Sequence, residues 1–361
     1  MLLYSILLFF YFFIAVFISI PEDLDKNKKN LIYFILLLPI FLVVALRSNS
    51  VGSDTYSYSY LFEKYGSIDL HVSLSDNTWL ESGYIISNYI FYHLGFSYYG
   101  FQIIVTSFYF LSFYKFFIKY STNIGLSCFL LIARQGMFGL MNQTRMWIAI
   151  CILLFAIDAM INKKTIKFIL ITLLASTFHR SALCIFLLYV LNFVKKNKNV
   201  FRYIYIFLCG IICLLGNSFF VVLTRLIGIY ENYNVITNNI KLASFVSLMS
   251  YIVFFISILL AKPKNESQIP KHELSLDIII CTIGLSLIGL RSSVMGRIIS
   301  YFSAYLYGLV PHEIDAISYK YNKRIVTIGI VFIFSILFFV IMVLRPNWDN
   351  VIPYKTFFNS F

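Results

Sequence analysis

Five arginines in this 361-residue chain lie at the ends of apolar runs, in or near turns that contain amide, hydroxyl or histidine side chains. A guanidinium group presents a planar fork of donors that fits the oxygens of phosphate and carboxylate. The pattern therefore predicts a binding site for an anionic ligand, although arginines at helix ends also occur simply because their heads reach toward water. The candidate ligand-binding residues are Arg47, Arg145, Arg180, Arg291, Arg297 and, in the turn that precedes Arg145, Asn142.

Two further side chains have the chemistry of a general base. His179 precedes Arg180, whose charge favours the neutral imidazole that accepts a proton. Asp54 follows Gly52 and is the second candidate, as a base or as a carboxylate that orients Arg47. Structural alternatives exist for both, because a membrane histidine often makes a helix–helix hydrogen bond and Asp54 has the position of a helix N-cap.

Tyrosines are concentrated between residues 47 and 98, and Tyr56 and Tyr60 are candidates for stacking on sugar rings. Enrichment of tyrosine at membrane interfaces is the alternative explanation. The sequence has no Gly-rich phosphate loop, no HExxH helix and no GxSxG motif. The six cysteines lie in apolar runs without metal-ligand spacing, so we expect no metal and no cofactor.

The composition places these residues in a membrane protein. Hydrophobic residues make up 60% of the chain, charged residues only 12%, and the mean hydropathy is +0.82. A soluble domain carries about 25% charged residues. The net charge of +13 comes mostly from lysines that suit anionic lipid headgroups, so the lipid bilayer is the expected partner and nucleic acid is not.

The apolar runs predict an all-α, polytopic fold in one integral membrane domain, residues 1–361. A spanning helix needs about 20 apolar residues. The expected spans number 12 and lie near 2–20, 31–46, 99–117, 124–141, 146–161, 166–178, 181–194, 203–223, 244–261, 275–290, 298–316 and 325–344.

Two regions depart from simple spans. Residues 47–98 form one long external loop, in which 83–96 is an interfacial helix. The short runs 166–178 and 181–194 flank a hairpin tip at 178–181, either between two spans or at the end of a re-entrant hairpin.

Charge sets the orientation. If the polar gaps alternate sides, 18 of the lysines and arginines fall on one side and 10 on the other. The positive-inside rule makes the richer side cytoplasmic and places both termini outside. Arginine dominates the poorer, external side, which is where the anionic ligand is expected. Arg134 alone lies deep in a run, as a functional residue or as a structural partner of Asp158.

At these residues the chain resembles the EpsG/Wzy-type polysaccharide polymerases. The resemblance follows an ordered set of loose motifs along almost the whole chain: Arg47 with Gly52-Ser53-Asp54-Thr55, Glu81-Ser82-Gly83-Tyr84, Asn142-Gln143-Thr144-Arg145, Phe178-His179-Arg180-Ser181, Arg297 with Ser300-Tyr301-Phe302, and Ile352-Pro353-Tyr354. Met146 departs from the pattern, since the family often has Gln after the arginine.

The resemblance implies a glycosyltransferase of the bacterial cytoplasmic membrane whose site faces the exterior. Its substrates would be undecaprenyl-pyrophosphate-linked oligosaccharides for O-antigen, capsule or exopolysaccharide, with a chain-length regulator and a flippase as candidate partners. Two other functions fit the same residues. A flippase or other transporter would have to open to both faces, and a ligase would affect attachment of the polymer rather than its length.

Overall fold

A computed structural model describes residues 1–18, 20–21, 24–75, 80–193, 197–215, 242–263, 265–292, 295–318, 320–344 and 348–360. Regular structure in these ranges is helical, and an isolated antiparallel bridge joins Arg47 to Thr356. The predicted all-α class is therefore confirmed. Residues 216–241, which include Arg225 and most of the gap between the expected spans 203–223 and 244–261, lie outside the described residues, as does Arg345.

The α-helices run in chain order as follows: α1 Leu2–Phe17, α2 Lys26–Ala45, α3 Thr55–Ser67, α4 Leu70–Ser75, α5 Ser82–His93, α6 Tyr98–Tyr120, α7 Ile124–Ala133, α8 Gly136–Asn142, α9 Thr144–Leu154, α10 Ile157–Ile161, α11 Thr165–Ser176, α12 Phe186–Phe193, α13 Lys198–Leu215, α14 Leu242–Leu259, α15 Ile269–Gly289, α16 Met295–Asp315 and α17 Lys320–Leu344. Short 3₁₀ helices cover Arg180–Ile185, Glu266–Gln268, Trp348–Asn350 and Phe357–Ser360.

Six of the described helices are long and apolar enough to cross a membrane: Lys26–Ala45, Tyr98–Tyr120, Lys198–Leu215, Leu242–Leu259, Glu266–Gly289 and Asn322–Val343. A seventh span results if α7 and α8, which meet at a 60° bend, are counted together. The protein is thus an integral membrane protein with six or seven candidate spans. The predicted number of about 12 stays a prediction, because the other apolar helices are shorter.

Helix α16 lies at the centre of the bundle. It packs against α15, α7 and the 3₁₀ helix Arg180–Ile185, and buried residues occur on all of its sides. Tyr305, near its middle, donates a hydrogen bond of 2.6 Å to the carbonyl of Leu153 in α9. Residues 301–311 of α16 are buried without interruption, so this part of the helix gives the site a fixed frame.

The segment 47–98 is mainly helical. Besides α5, which covers most of the predicted interfacial helix 83–96, it contains α3 and α4. Helices α3 and α5 pack on each other, and Phe62 of α3 stacks on Phe101 of α6 with ring centroids 5.1 Å apart. Aromatic packing therefore fixes this segment against the bundle.

Candidate functional site

Asn142 joins three distant parts of the chain. Its Oδ1 accepts hydrogen bonds from the backbone N–H of Asp54 at 2.8 Å and from the Ser53 hydroxyl at 3.0 Å. Its Nδ2 donates to Oδ1 of Asp349 at 2.8 Å. Because one amide side chain offers both donors and acceptors, Asn142 ties the end of α8 to the start of α3 and to the C-terminal segment.

Backbone hydrogen bonds strengthen this corner. The N–H of Gly52 donates to the carbonyl of Asn350 at 3.0 Å, and that of Ser53 donates to Asp349 at 2.9 Å. Gly52 has φ of +103°, a conformation that a residue with a Cβ rarely adopts. The tight turn at Gly52 brings the loop against the C-terminal segment.

Glu81 is the centre of a second cluster. Its Oε2 accepts a short hydrogen bond and ion pair from Nη1 of Arg145. Its Oε1 lies 3.1 Å from Nδ1 of His179 and accepts the backbone N–H of Arg180 at 3.1 Å. Two residues on, the N–H of Gly83 donates to the carbonyl of Thr177 at 2.8 Å. The start of α5 is thus docked on the turn before the 3₁₀ helix.

The protonation of this cluster follows from its contacts. Burial alone would raise the pKa of Glu81, but the hydrogen bond from His179, the charge of Arg145 and the N–H of Arg180 outweigh burial and lower the pKa to about 2. The ionised carboxylate can only accept hydrogen bonds. The contact with Glu81 therefore selects the tautomer of His179 with its proton on Nδ1, in which Nε2 is the proton-accepting nitrogen.

A cavity of about 460 Å³ includes Asp349 of the Asn142 corner among its lining residues. Its walls come from α8, α9, α14, α15, α16 and the residues around the α7–α8 bend. Among its lining residues are Arg134, Gln135, Gln143, Trp147, Ser247, Tyr251, Arg297, Ser300, Tyr307 and Asp349. The charged groups among them are two arginines and one aspartate, so the described lining carries a net positive charge.

Comparison with models of protein families shows which family this chain belongs to. A model of the EpsG family matches residues 30–356. The chain belongs to the EpsG family. This membership supports a general role as a glycosyltransferase-like polysaccharide polymerase. Comparison with curated proteins and with solved structures found no match.

The arginines predicted to bind ligand lie in different environments in this EpsG-family protein. Arg297 lines the cavity, whereas Arg145 is paired with Glu81. Arg47 is buried, with its Nη1 donating to the carbonyl of Val44 at 2.5 Å. Arg180 is exposed and uses its backbone N–H, while Arg291 is half-buried and is not among the cavity-lining residues.

The remaining predicted residues take different places. Asp54 is the N-cap residue of α3 without a side-chain capping bond, and its hydrogen-bond partners are Ser53 and Asn142 rather than Arg47. Tyr56 and Tyr60 are 71% and 62% exposed, and neither is among the cavity-lining residues. The proposed pairing of Arg134 with Asp158 is wrong, because Asp158 binds Lys119 at 2.6 Å and Tyr120.

Glu81 and Asp349 are the site residues that sequence reasoning missed as functional candidates. Glu81 did stand in the motif Glu81-Ser82-Gly83-Tyr84, and a charged residue in an otherwise tyrosine-rich segment was the available signal. Asp349 gave no such signal, since its contacts with Asn142 and Ser53 join residues far apart in the sequence.

Proposed function

We propose that this EpsG-family protein polymerises lipid-linked oligosaccharide repeat units on the external face of the bacterial cytoplasmic membrane. The donor is a growing chain on undecaprenyl pyrophosphate. A hydroxyl of the next lipid-linked unit attacks the anomeric carbon of the donor, the glycosidic bond forms, and the lipid pyrophosphate leaves as the C–O bond breaks. The hydroxyl proton passes to a general base.

The observation that carries this proposal is the positively charged cavity between apolar helices. A pyrophosphate leaving group develops negative charge in the transition state, and fixed cationic donors stabilise that charge best where water is excluded. Arg297 is the predicted arginine that lines the cavity, and hydroxyl donors such as Ser300 and Tyr307 surround it. Membership in the EpsG family favours a sugar-pyrophosphate substrate over other anions.

The base is assigned to His179. The Glu81 carboxylate fixes the Nδ1–H tautomer, so Nε2 is free to take the proton of the acceptor hydroxyl. His179 also stacks on Tyr301 of α16, with ring centroids 6.5 Å apart, while Ser300 and Ser303 of the same helix line the cavity. The rigid α16 therefore connects the base to the anion-binding cavity.

The test uses membranes that contain the protein and purified undecaprenyl-pyrophosphate-linked repeat units. Arg297→Ala is expected to lower the rate of polymer formation about ten- to a hundredfold, the usual effect of losing a hydrogen bond to a charged group. Arg297→Lys should restore little, because a point charge lacks the fork geometry. Arg324→Ala, at an exposed position of α17, is the matched control.

Protein content and thermal stability are measured for each variant. Normal polymer formation by Arg297→Ala would contradict the role of the cavity. Loss of substrate translocation with normal polymerisation of units supplied externally would instead support a transporter.

A further inference from the structure

We infer that Arg134 is a second diphosphate-binding residue of this cavity, presented by the bend between α7 and α8; the inference rests on the proposed function for the identity of the anion. Arg134 ends α7, and Gln135 then adopts a left-handed conformation with φ of +61° before α8 begins. Arg134, Gln135 and Gly136 all line the cavity. The bend therefore places these three residues at the cavity. In a straight helix, the same residues would be packed against neighbouring helices.

The guanidinium group of Arg134 is held in place without a carboxylate. Its Cζ lies 4.3 Å from the centre of the Tyr251 ring and 5.8 Å from that of Phe334, and its Nη2 donates to Ser247 at 3.3 Å. In the described ranges it forms no salt bridge. Stacking on an aromatic ring fixes the plane of an arginine and leaves its donors available, so Arg134 is oriented but its charge is not neutralised.

Unused donors in the same cavity point to a ligand rich in acceptor oxygens. Trp147 and Ser292 both line the cavity and are 3% and 1% exposed. Within the described part of the chain, neither Nε1 of Trp147 nor the hydroxyl of Ser292 has a hydrogen-bond partner, and the same holds for Nε2 of Gln135. A buried donor without a partner costs free energy, and a bound diphosphate would satisfy such donors.

The choice of a diphosphate over a single carboxylate follows from charge. Arg134 and Arg297 belong to different helices of one cavity, so they approach its contents from two directions. Asp349 is the described acidic residue of the lining, and its Oδ1 accepts from Asn142. Two guanidinium groups match a ligand with more than one negative charge, as in pyrophosphate, better than the single charge of an acidic sugar.

The experiment measures binding of inorganic pyrophosphate to the full-length protein in lipid nanodiscs by calorimetry, with glucuronate as a second ligand. Arg134→Gln is expected to weaken pyrophosphate binding about ten- to a hundredfold. Arg134→Lys, which keeps the charge but not the planar stacking, should fall between Arg134→Gln and the wild type. Arg324→Gln is the control, and Ser292→Ala removes only the hydroxyl donor and should weaken binding a few-fold.

Loss of affinity in Arg134→Gln and Ser292→Ala, with normal thermal stability and normal binding by Arg324→Gln, supports the inference. Unchanged affinity in Arg134→Gln, binding of glucuronate but not pyrophosphate, or no binding by the wild type would each overturn it. A protein that binds pyrophosphate through Arg134 but forms no polymer would disprove the proposed function while leaving the diphosphate site in place.

Discussion

At the scale of single residues, Glu81 determines what two of the predicted residues can do. Its two carboxylate oxygens face different partners, Arg145 on one side and His179 with the N–H of Arg180 on the other. The ion pair with Arg145 therefore stabilises the ionised form of Glu81. The contact between Glu81 and His179 selects one of the two tautomers of the imidazole ring, so the basic nitrogen of that ring is defined.

Glu81→Gln should destabilise the protein. The side chains of Glu81 and Arg145 are 6% and 10% exposed, so the substitution leaves a buried arginine without its counter-charge, which costs about 3–5 kcal/mol. Differential scanning of thermal unfolding in detergent would show a lower transition temperature. Glu63→Gln, at an exposed position of α3, serves as the control and should unfold like the wild type.

The loss of stability in Glu81→Gln relative to the wild type should depend on pH. The pKa of Glu81 falls from 4.5 to about 2 in the folded protein, so ionisation stabilises the fold. This contribution, about 3 kcal/mol for a shift of this size, is complete above pH of about 5 and disappears as the pH falls from about 4.5 toward about 2. The stability difference between wild type and Glu81→Gln should therefore shrink on acidification. A difference that stays constant between pH 7 and pH 3 would refute the assignment.

His179→Gln and Asp54→Asn separate the two candidate bases. Removal of a general base typically lowers a rate about 10²–10⁴-fold, and we expect this loss of polymerisation for His179→Gln. Asp54→Asn should stay near the wild-type rate, because Asp54 contributes mainly its backbone N–H to Asn142. Rates of polymer formation, measured in membranes with purified lipid-linked units, distinguish the two candidate bases. The reverse result would make Asp54 the base, and two active variants would exclude both residues.

The sequence could identify these residues by type but not by environment. Arg47, Arg145 and Arg297 look alike in the sequence, each within a few residues of hydroxyl or amide side chains at the end of an apolar run. Their roles differ because Arg47 turns back to the carbonyl of Val44, Arg145 meets Glu81, and Arg297 lines the cavity. Arg145 and Glu81 are 64 positions apart in the sequence. The periodicity of apolar residues gives no information on a contact between positions so far apart.

At the scale of elements, apolar length predicted the positions of the helices well. Several runs expected as single spans are interrupted: 146–161 is divided into α9 and α10, 181–194 begins as a 3₁₀ helix, and 124–141 bends by 60° between α7 and α8. Neither proline nor a glycine pair marks the bend, since the turn residues are Arg134 and Gln135. Propensity cannot reveal a bend that is stabilised by tertiary contacts such as the stacking of Arg134 on Tyr251.

Gly83→Ala should separate α5 from the turn that carries His179. A Cβ at this position would lie 2.7 Å from the backbone carbonyl oxygen of Thr177, and a backbone atom cannot move aside as a flexible side chain can. The displacement would pull Glu81 from His179 and reduce polymerisation about as strongly as His179→Gln. Gly329→Ala in α17, where a Cβ meets nothing within 4 Å, is the control and should be neutral or slightly stabilising. Equal activity of both variants would show that this docking is dispensable.

At the scale of the whole molecule, charge remains the guide to orientation. Lysines dominate the side predicted to be cytoplasmic, and arginines dominate the other. The structure adds that the Asn142 corner and the Glu81 cluster are both built on the segment 47–98, which the charge count places outside. The orientation of that segment therefore decides whether the proposed site can meet externally displayed substrates.

Labelling of single cysteines with a membrane-impermeant maleimide in intact cells tests this orientation. The six native cysteines, which are buried or half-buried, are first replaced. Ser75→Cys at the end of α4 and Lys262→Cys after α14 both lie at exposed positions. We expect Ser75→Cys to react in intact cells and Lys262→Cys to react only after the membrane is permeabilised, because the lysine-rich side faces the cytoplasm. Reaction of Lys262→Cys but not Ser75→Cys in intact cells would place the arginine and histidine clusters inside, and polymerisation on the external face would then be impossible for this chain.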